Sequence, residues 1–404
     1  MKKLALLACL LIACGERSAG FSPPREDGLK PVLHIEPDTD AENLLNLAYG
    51  AAVVSRTGEL NLELSAVHAI DGISTTAWIS SPGAPDETLV YSLLSPSRLK
   101  RVGVTVSVGD QVPRGLAFDA SMDGKTWREL ISVEPQKHNE RQLWPVPETV
   151  ARYVRIRSLD REKYYVRARA FHVLGDEVAP PDTPPFGGCW TINGQRASLQ
   201  QDGARITGTI ESEPPTYLEG GTDNRVAMLT WQQGATWGHA VLTRTPDGRH
   251  LTGLRFFTEF EIKWLGDAWY GDKCRAGFSP PLSSGGGGLK PALHLATYPL
   301  YGLAFDSKGQ VIEELSKAQL DAVVPLLAGR RARITSYEVR YDTAEDNRRV
   351  TAARVASLRA ALQARGVDVS RIEFVAAGNN WQGPILRSTI QRLLASRVEL
   401  SFGT

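Results

Sequence analysis

Histidine, cysteine and methionine are scarce in this chain of 404 residues, at seven, four and three, and net charge is nearly absent, with 46 basic against 45 acidic side chains. The histidines stand singly, so none has the spacing of a zinc site. A Gly-x-Ser-x-Gly elbow and a Gly-rich phosphate loop leading into a helix are both missing. A balanced chain has no net field with which to recruit nucleic acid, and no nucleic-acid partner is expected. The carboxylate pairs of glycoside hydrolysis assemble in space, so sequence alone does not exclude them. With no other catalytic pattern present, the chain is expected not to be an enzyme.

Long apolar runs are lacking too. Two lysines are followed by ten apolar residues from Leu4 to Ala13 and then by Cys14. Ten is about half of what spans a bilayer core, so residues 1–13 read as the hydrophobic part of a removable signal. Leu11-Ile12-Ala13-Cys14 resembles the bacterial lipobox, which implies cleavage before Cys14 and acylation of its thiol; ordinary signal cleavage elsewhere is the alternative. Two or three acyl chains make membrane attachment effectively permanent. Gly15 in place of the Asp that often retains lipoproteins at the inner membrane implies the outer membrane, facing the periplasm. Cys9 leaves with the signal. Cys189 and Cys274 then remain in an oxidising compartment and are expected to form a disulfide, since a redox-active C-x-x-C spacing is absent.

At this length a single core is too small a solution, and two to four domains are expected. Pro- and Gly-rich punctuation divides the chain into a linker at 14–40, a domain at 41–176, a linker at 177–187, a domain at 188–275, a linker at 276–295 and a domain at 296–404. The first and last linkers share a phrase, AGFSPPREDGLKPVLHI at 19–35 and AGFSPPLSSGGGGLKPALHL at 276–295. It reads either as a duplicated joint, with Leu29, Leu33 and Ile35 matching Leu289, Leu293 and Leu295 on one face of a strand-like tail, or as a binding motif.

In 41–176, segments such as Val102–Val106 and Tyr153–Arg157 alternate between turns, which argues for an antiparallel sandwich. Asn46-Leu47-Ala48, the run Ala69 to Trp78, the run Ser121 to Trp127 and the run Ala151 to Arg157 resemble a discoidin (coagulation-factor 5/8 type C) domain, in order. That resemblance implies a β-sandwich jelly roll that binds ligands, often sugars, through loops at one end. Asp71 and Thr76 match positions that help hold a structural calcium ion in bacterial members, although the usual last-strand carboxylate falls near Ala170. The plainer reading is that Asp71 caps a turn and that Trp78 and Trp127 belong to the core. His68, Asn139, Arg141 and Trp144 are candidate ligand contacts in or near loops.

Segment 188–275 reads as an all-β meander of about six strands, loosely resembling small lipocalin-like barrels, with Trp231, Trp237, Trp264 and Trp269 expected in the core. Segment 296–404 changes period. Leu320, Val323, Val324 and Leu327 recur at helical spacing, with a kink or break expected at Pro325; Val355, Leu358 and Leu362 mark a second helix, and 384–395 a third. Strands are expected at 333–337, 372–375 and 397–400, giving an α/β class.

In that segment Leu303 to Ser307, at the place of the family's opening strand, Asn347, Arg354, Ala356, Gly366-Val367, Gly378 and Arg397 to Leu400 resemble an OmpA-like peptidoglycan-associated domain. The resemblance implies that Arg354 grips a stem-peptide carboxylate, with Asn347 at the family's Asn position. The Asp that would hold the ligand ammonium is replaced by Val339. Losing one member of such a pair costs about 2–5 kcal/mol, so ordinary stem-peptide binding is expected to be weakened. Glu338 and Asp342 are the nearest carboxylates, but a one-residue shift in a strand turns a side chain to the other face. Residues 330–371 carry ten basic against five acidic side chains, either a solvated helix face or a contact for anionic wall polymer or lipid.

Together these readings describe a multidomain protein, with a β-sandwich jelly roll, an all-β meander or small barrel, and an α/β OmpA-like domain in turn. Membrane through the lipid anchor, glycan or peptidoglycan, and envelope proteins are the expected partners. A surface adhesin or envelope scaffold without wall binding is the alternative.

Overall fold

The computed structural model describes residues 43–81, 87–107, 111–159, 165–257, 266–274, 297–340, 343–381 and 388–402. Cys14 and both copies of the repeated phrase lie outside them, as do Trp264 and Asp342. Among the described residues no helix is long and apolar enough to cross a membrane.

The first domain is a β-sandwich. Its strands are β1 (Ala52–Arg56), β2 (Trp78–Ile79), β3 (Thr88–Thr105), β4 (Leu116–Ser121), β5 (Arg128–Val133), β6 (Arg141–Ser158), β7 (Arg167–Ala168) and β8 (Ala170–Glu177). One sheet runs β1-β3-β6-β4-β5, β8 pairs with β3, and β2 pairs with β7. Strands β3 and β6 are long enough to serve both halves. The first part of β3 pairs with β1, and its second part, from Ser97 on, with β8. Inward positions carry Tyr91, Val102, Val104, Phe118, Val154 and Phe171, all buried. Burying side chains of this size at roughly 1.5–3 kcal/mol each is what holds the sandwich.

The second domain is a closed antiparallel barrel of eight strands. These are β9 (Gly188–Ile192), β10 (Gln195–Asp202), β11 (Arg205–Ile210), β12 (Thr216–Thr222), β13 (Ala227–Gln233), β14 (Thr236–Arg244), β15 (His250–Phe257) and β16 (Asp267–Lys273). Each pairs with the next and β16 pairs back to β9, which removes every free edge. The expected six strands fall short of this. Strand β12 carries Glu219-Gly220-Gly221 and β10 reads Gln195 to Asp202, neither of which has strand-like composition. Trp190, Trp231 and Trp269 fill the interior with Ile206, Leu218 and Leu229, and the indoles of Trp190 and Trp231 donate to the carbonyls of Phe186 (2.8 Å) and Phe256 (3.0 Å). Trp237 is only half-buried. At the β9–β16 seam Cys189 and Cys274 form a disulfide, with Cα atoms 5.4 Å apart.

The third domain is α/β. It consists of β17 (Thr297–Pro299), α1 (Glu313–Leu327), β18 (Ala332–Tyr337), α2 (Ala344–Ala364), β19 (Ile372–Gly378), α3 (Thr389–Ala395) and β20 (Val398–Phe402). The sheet order is β17-β20-β18-β19, with β18 and β19 parallel and the other pairs antiparallel. Thr343 caps α2 by accepting from the amide of Asp346 (3.0 Å), and Gly366 follows that helix at positive φ. Two expectations change here. Helix α1 runs unbroken through Pro325, which sits in its last turn, where the helix is ending in any case. Residues 303–307 do not form a sheet strand. Past a turn at Tyr301-Gly302, Ala304 is tied to α1 by reciprocal bonds with the Ser316 hydroxyl (2.9 and 3.1 Å), and the first sheet strand is β17.

The three domains share buried surface. Thr252 Oγ1 bonds both the amide and the carbonyl of Val53 (3.0 and 3.1 Å), and Thr243 Oγ1 donates to the carbonyl of Ala51 (2.8 Å). Tyr270 of the barrel donates to Glu59 (3.1 Å), accepts from the Val67 amide (3.2 Å) and lies under the Arg56 guanidinium (3.6 Å). On the barrel's other flank, the amide of Ala204 donates to the carbonyl of Leu315 (2.8 Å). A Cβ on Gly221 would lie 2.0 Å from the carbonyl oxygen of Tyr301, so only glycine permits that approach. The main apolar cluster runs without a break from Phe171 and Tyr91 through Val241, Leu254 and Phe256 to Ile390 and Leu394.

Candidate functional site

A cavity of about 540 Å³ is lined by residues of the sandwich together with Arg225 of the barrel. Three segments build it. Buried Asn43 pins the first to β8, donating to the Phe171 carbonyl (2.8 Å) and accepting from the Val173 amide (2.9 Å). Asn46 then caps a short turn by accepting from the Ala48 amide (2.9 Å), and that turn presents Tyr49 to the cavity. The second segment is the middle of β3, where the Ser97 hydroxyl donates to the Ser95 carbonyl (3.0 Å). The third is the end of β8, carrying Asp176 and Glu177.

An irregularity in β3 shapes the lining. Pairing shifts between Leu99 and Arg101: against β8, Lys100 is an extra residue in the ladder, whereas against β6 the surplus lies on the partner strand, at residues 146–148. A bulge of this kind re-aims side chains. Its effect is that the consecutive residues Lys100 and Arg101, which regular alternation would send to opposite faces, both line the cavity. Lys100 pairs with Asp176 at 2.5 Å. The barrel closes one side with Arg225, on a turn held by Asp223, whose carboxylate accepts from the amides of Arg225 and Val226 (2.9 and 3.0 Å). Hydroxyls, a phenol, carboxylates and cations around a cavity of this size offer the mixed donors and acceptors that a polyol needs.

The structure brings Asp71 and Thr76 together. Thr76 Oγ1 donates to Asp71 Oδ1 (2.9 Å) and lies 2.7 and 3.3 Å from the carbonyls of Ile73 and His68, while Asp71 Oδ1 also accepts from the Ile73 amide (2.8 Å). Both side chains are buried. These are hard oxygen donors, with one carboxylate among them. Among the described residues no group of three or more His, Cys, Asp or Glu side chains gathers as a metal cluster.

The sequence's loop candidates separate. His68 is fully buried, with Nδ1 at Ser65 Oγ (3.0 Å) and Nε2 at the Gly266 carbonyl (3.0 Å), and so serves the sandwich–barrel contact. Asn139 is exposed beside β6, Arg141 begins that strand, and Trp144 is half-buried within it; none of the three lines the cavity. Trp78 is core, but Trp127 is half-exposed, with the Arg155 guanidinium 4.6 Å above its ring. The sequence passed over Tyr49, Lys100, Arg101 and Arg225. A strand bulge and a turn from another domain leave no local signature.

In the third domain Arg354 and Asn347 lie two turns apart on α2, and both are buried. Arg354 Nη2 donates to Glu338 Oε2 (2.8 Å), and Arg340 donates to the same carboxylate through Nε (2.9 Å) and Nη2 (2.7 Å). Burial alone would raise the Glu338 pKa. The Arg340 hydrogen bond and the charges of Arg340 and Arg354 outweigh it and bring it down to about 2. Strand alternation does not apply at Glu338, because β18 ends at Tyr337 and its register with β19 shifts there, which turns Glu338 towards α2 and leaves Val339 in the apolar core. Arg354 also lines a second cavity, of about 260 Å³, between this domain and the barrel.

The model of the F5/8 type C domain matches residues 53–170. Among solved structures, the C-terminal domain of a chitobiase from Bacteroides fragilis is 20% identical, with 32% of this chain and 96% of that one covered and a TM-score of 0.30. Chitosan-binding module 1 of a chitosanase/glucanase from Paenibacillus sp. IK-5 is 21% identical over 32% of this chain and 98% of its own, at a TM-score of 0.29. The family 32 CBM of C. perfringens NanJ, solved in complex with galactose, is 16% identical over 30% and 92%, at 0.27. No curated protein matches the chain. Residues 53–170 thus form a discoidin-like domain of the F5/8 type C kind, built into a longer chain.

Proposed function

We propose that this chain is a non-catalytic, lipid-anchored protein of the bacterial outer membrane that binds glycan through its discoidin-like domain and faces the cell wall with its third domain. The observation that carries the glycan part is the 540 Å³ cavity, with both polar and apolar lining, on a domain of the F5/8 type C family. Tyr49 supplies an aromatic wall, Ser95 and Ser97 lie on the floor, and the Lys100–Asp176 pair offers a donor and an acceptor to sugar hydroxyls. The sugar-binding modules among the solved structures agree with this reading. A glycan array probed with the whole mature chain tests it. Binding that Tyr49→Ala and Lys100→Ala abolish is the expected result, and an array without signal would overturn it.

Anchoring rests on the lipobox-like Leu11 to Cys14, and the periplasmic face on Gly15. Wall association rests on the OmpA-like residues around Asn347 and Arg354. A structural calcium ion, when bound in the sandwich, would be held by Asp71 and Thr76 with neighbouring carbonyl oxygens, a donor set that suits a hard cation. A scaffold or adhesin without peptidoglycan binding is favoured by one feature, the Glu338 carboxylate already seated on Arg354. Co-sedimentation of the mature chain with peptidoglycan sacculi separates the two, since pelleting supports the wall reading and a clear supernatant the scaffold.

A further inference from the structure

The 540 Å³ cavity is lined by more positive than negative side chains, and its cations are not equivalent. Lys100 is already paired with Asp176. Arg101 and Arg225 are both exposed, and among the described residues neither has an ion-pair partner. They reach the cavity by different routes. Arg101 arrives because the β3 bulge turns it there beside Lys100, and Arg225 because the Asp223-braced turn of the barrel overhangs the sandwich. Neither arginine has an evident part in packing, and a lysine–carboxylate pair alone would suffice for neutral hydroxyls.

We propose that this cavity selects an anionic saccharide, a uronic-acid-type sugar whose ring carboxylate is received between Arg101 and Arg225 while its hydroxyls meet Tyr49, Ser97 and the Lys100–Asp176 pair. A guanidinium is the side chain best matched to a carboxylate, because two parallel N–H bonds fit its two oxygens. The site exists only while sandwich and barrel are docked, as one arginine comes from each.

This inference rests on the glycan-binding reading and refines it. The test is calorimetric titration of the mature chain with trigalacturonate and with the neutral galactotriose, at low salt and at 0.5 M NaCl. Trigalacturonate is expected to bind about tenfold or more tightly than the neutral sugar, the size of one charge-assisted contact, and to lose that advantage in high salt. Arg101→Gln and Arg225→Gln should each remove the preference while leaving weak neutral-sugar binding, and Arg101→Lys should restore part of it. Equal affinity for both sugars, or a preference untouched by either arginine variant, would overturn the anionic assignment and leave glycan binding standing. Failure of both sugars to bind a chain with native thermal unfolding would sink both.

Discussion

The carboxylate of Glu338 lies 2.8 Å from the guanidinium of Arg354, and both groups are buried, at 0% and 9% side-chain exposure. An arginine on a helix face at the edge of a cavity looks in sequence like a receptor for a ligand carboxylate. In the fold it has one from its own chain. Removing one partner strands the other charge in a low-dielectric site, so Glu338→Gln should destabilise the third domain by about 3–5 kcal/mol. Urea unfolding followed by tryptophan fluorescence reads this, and a change within 0.5 kcal/mol would mean that the pair contributes little.

The same pair fixes an acid limit. With its folded pKa at about 2 against an ordinary 4.5, Glu338 gives stability that is complete above about pH 4.5 and lost as pH falls through 2. The amount is about 3 kcal/mol. Thermal unfolding between pH 5 and 2 should show a steeper loss in the wild type than in Glu338→Gln.

A base behaves oppositely at the barrel's outer wall. His239 is buried there, with Nδ1 3.4 Å from the Tyr301 hydroxyl, Trp237 edge-on at 5.7 Å and the Arg397 cation near. Burial first, and Arg397 second, hold its pKa well below 6.5. The folded chain therefore keeps this ring neutral, and the unfolded chain takes up its proton first as pH drops below about 6.5. Stability should fall from pH 7.5 to 5.5, and the fall should be shallower in His239→Gln; parallel curves would exclude His239 as the source.

Gly221→Ala should separate the barrel from the third domain, because the added carbon would lie 2.0 Å from the Tyr301 carbonyl oxygen. A cost of about 1–3 kcal/mol is expected, visible as faster proteolysis after residue 297. Gly194→Ala is the control, with positive φ but no heavy atom within 4 Å of the new carbon. It should carry backbone strain of about 1 kcal/mol and leave docking unchanged.

Reduction should loosen the barrel. The disulfide closes a loop of 85 residues at the β9–β16 seam, and its loss, in Cys189→Ser with Cys274→Ser, should cost about 4–5 kcal/mol. For the sandwich, EDTA should lower the melting temperature of the wild type and not that of Asp71→Asn. Identical shifts in the two would remove calcium from Asp71 and Thr76.

The sandwich and the disulfide were legible in sequence because each leaves a local or countable trace: alternation broken by turns, and two cysteines left over. Barrel strand β12 was not legible, since its Gly220-Gly221 serves close approach at the expense of strand propensity. Glu338 was misjudged because period-two reasoning holds only while a strand is regular, and the register shift after Ser336 ends it. The cavity residues were out of reach altogether. Lys100 and Arg101 depend on a bulge, and Arg225 on a neighbour 124 positions further along.

The eight-stranded barrel has three buried tryptophans where a ligand would sit, and its outer wall is spent on the sandwich and the third domain. It acts as a keystone. Swapping either flanking module for a relative would expose apolar wall that no solvent-adapted surface covers, so the three segments, separable on paper by their proline-rich seams, are expected to be inherited and lost together.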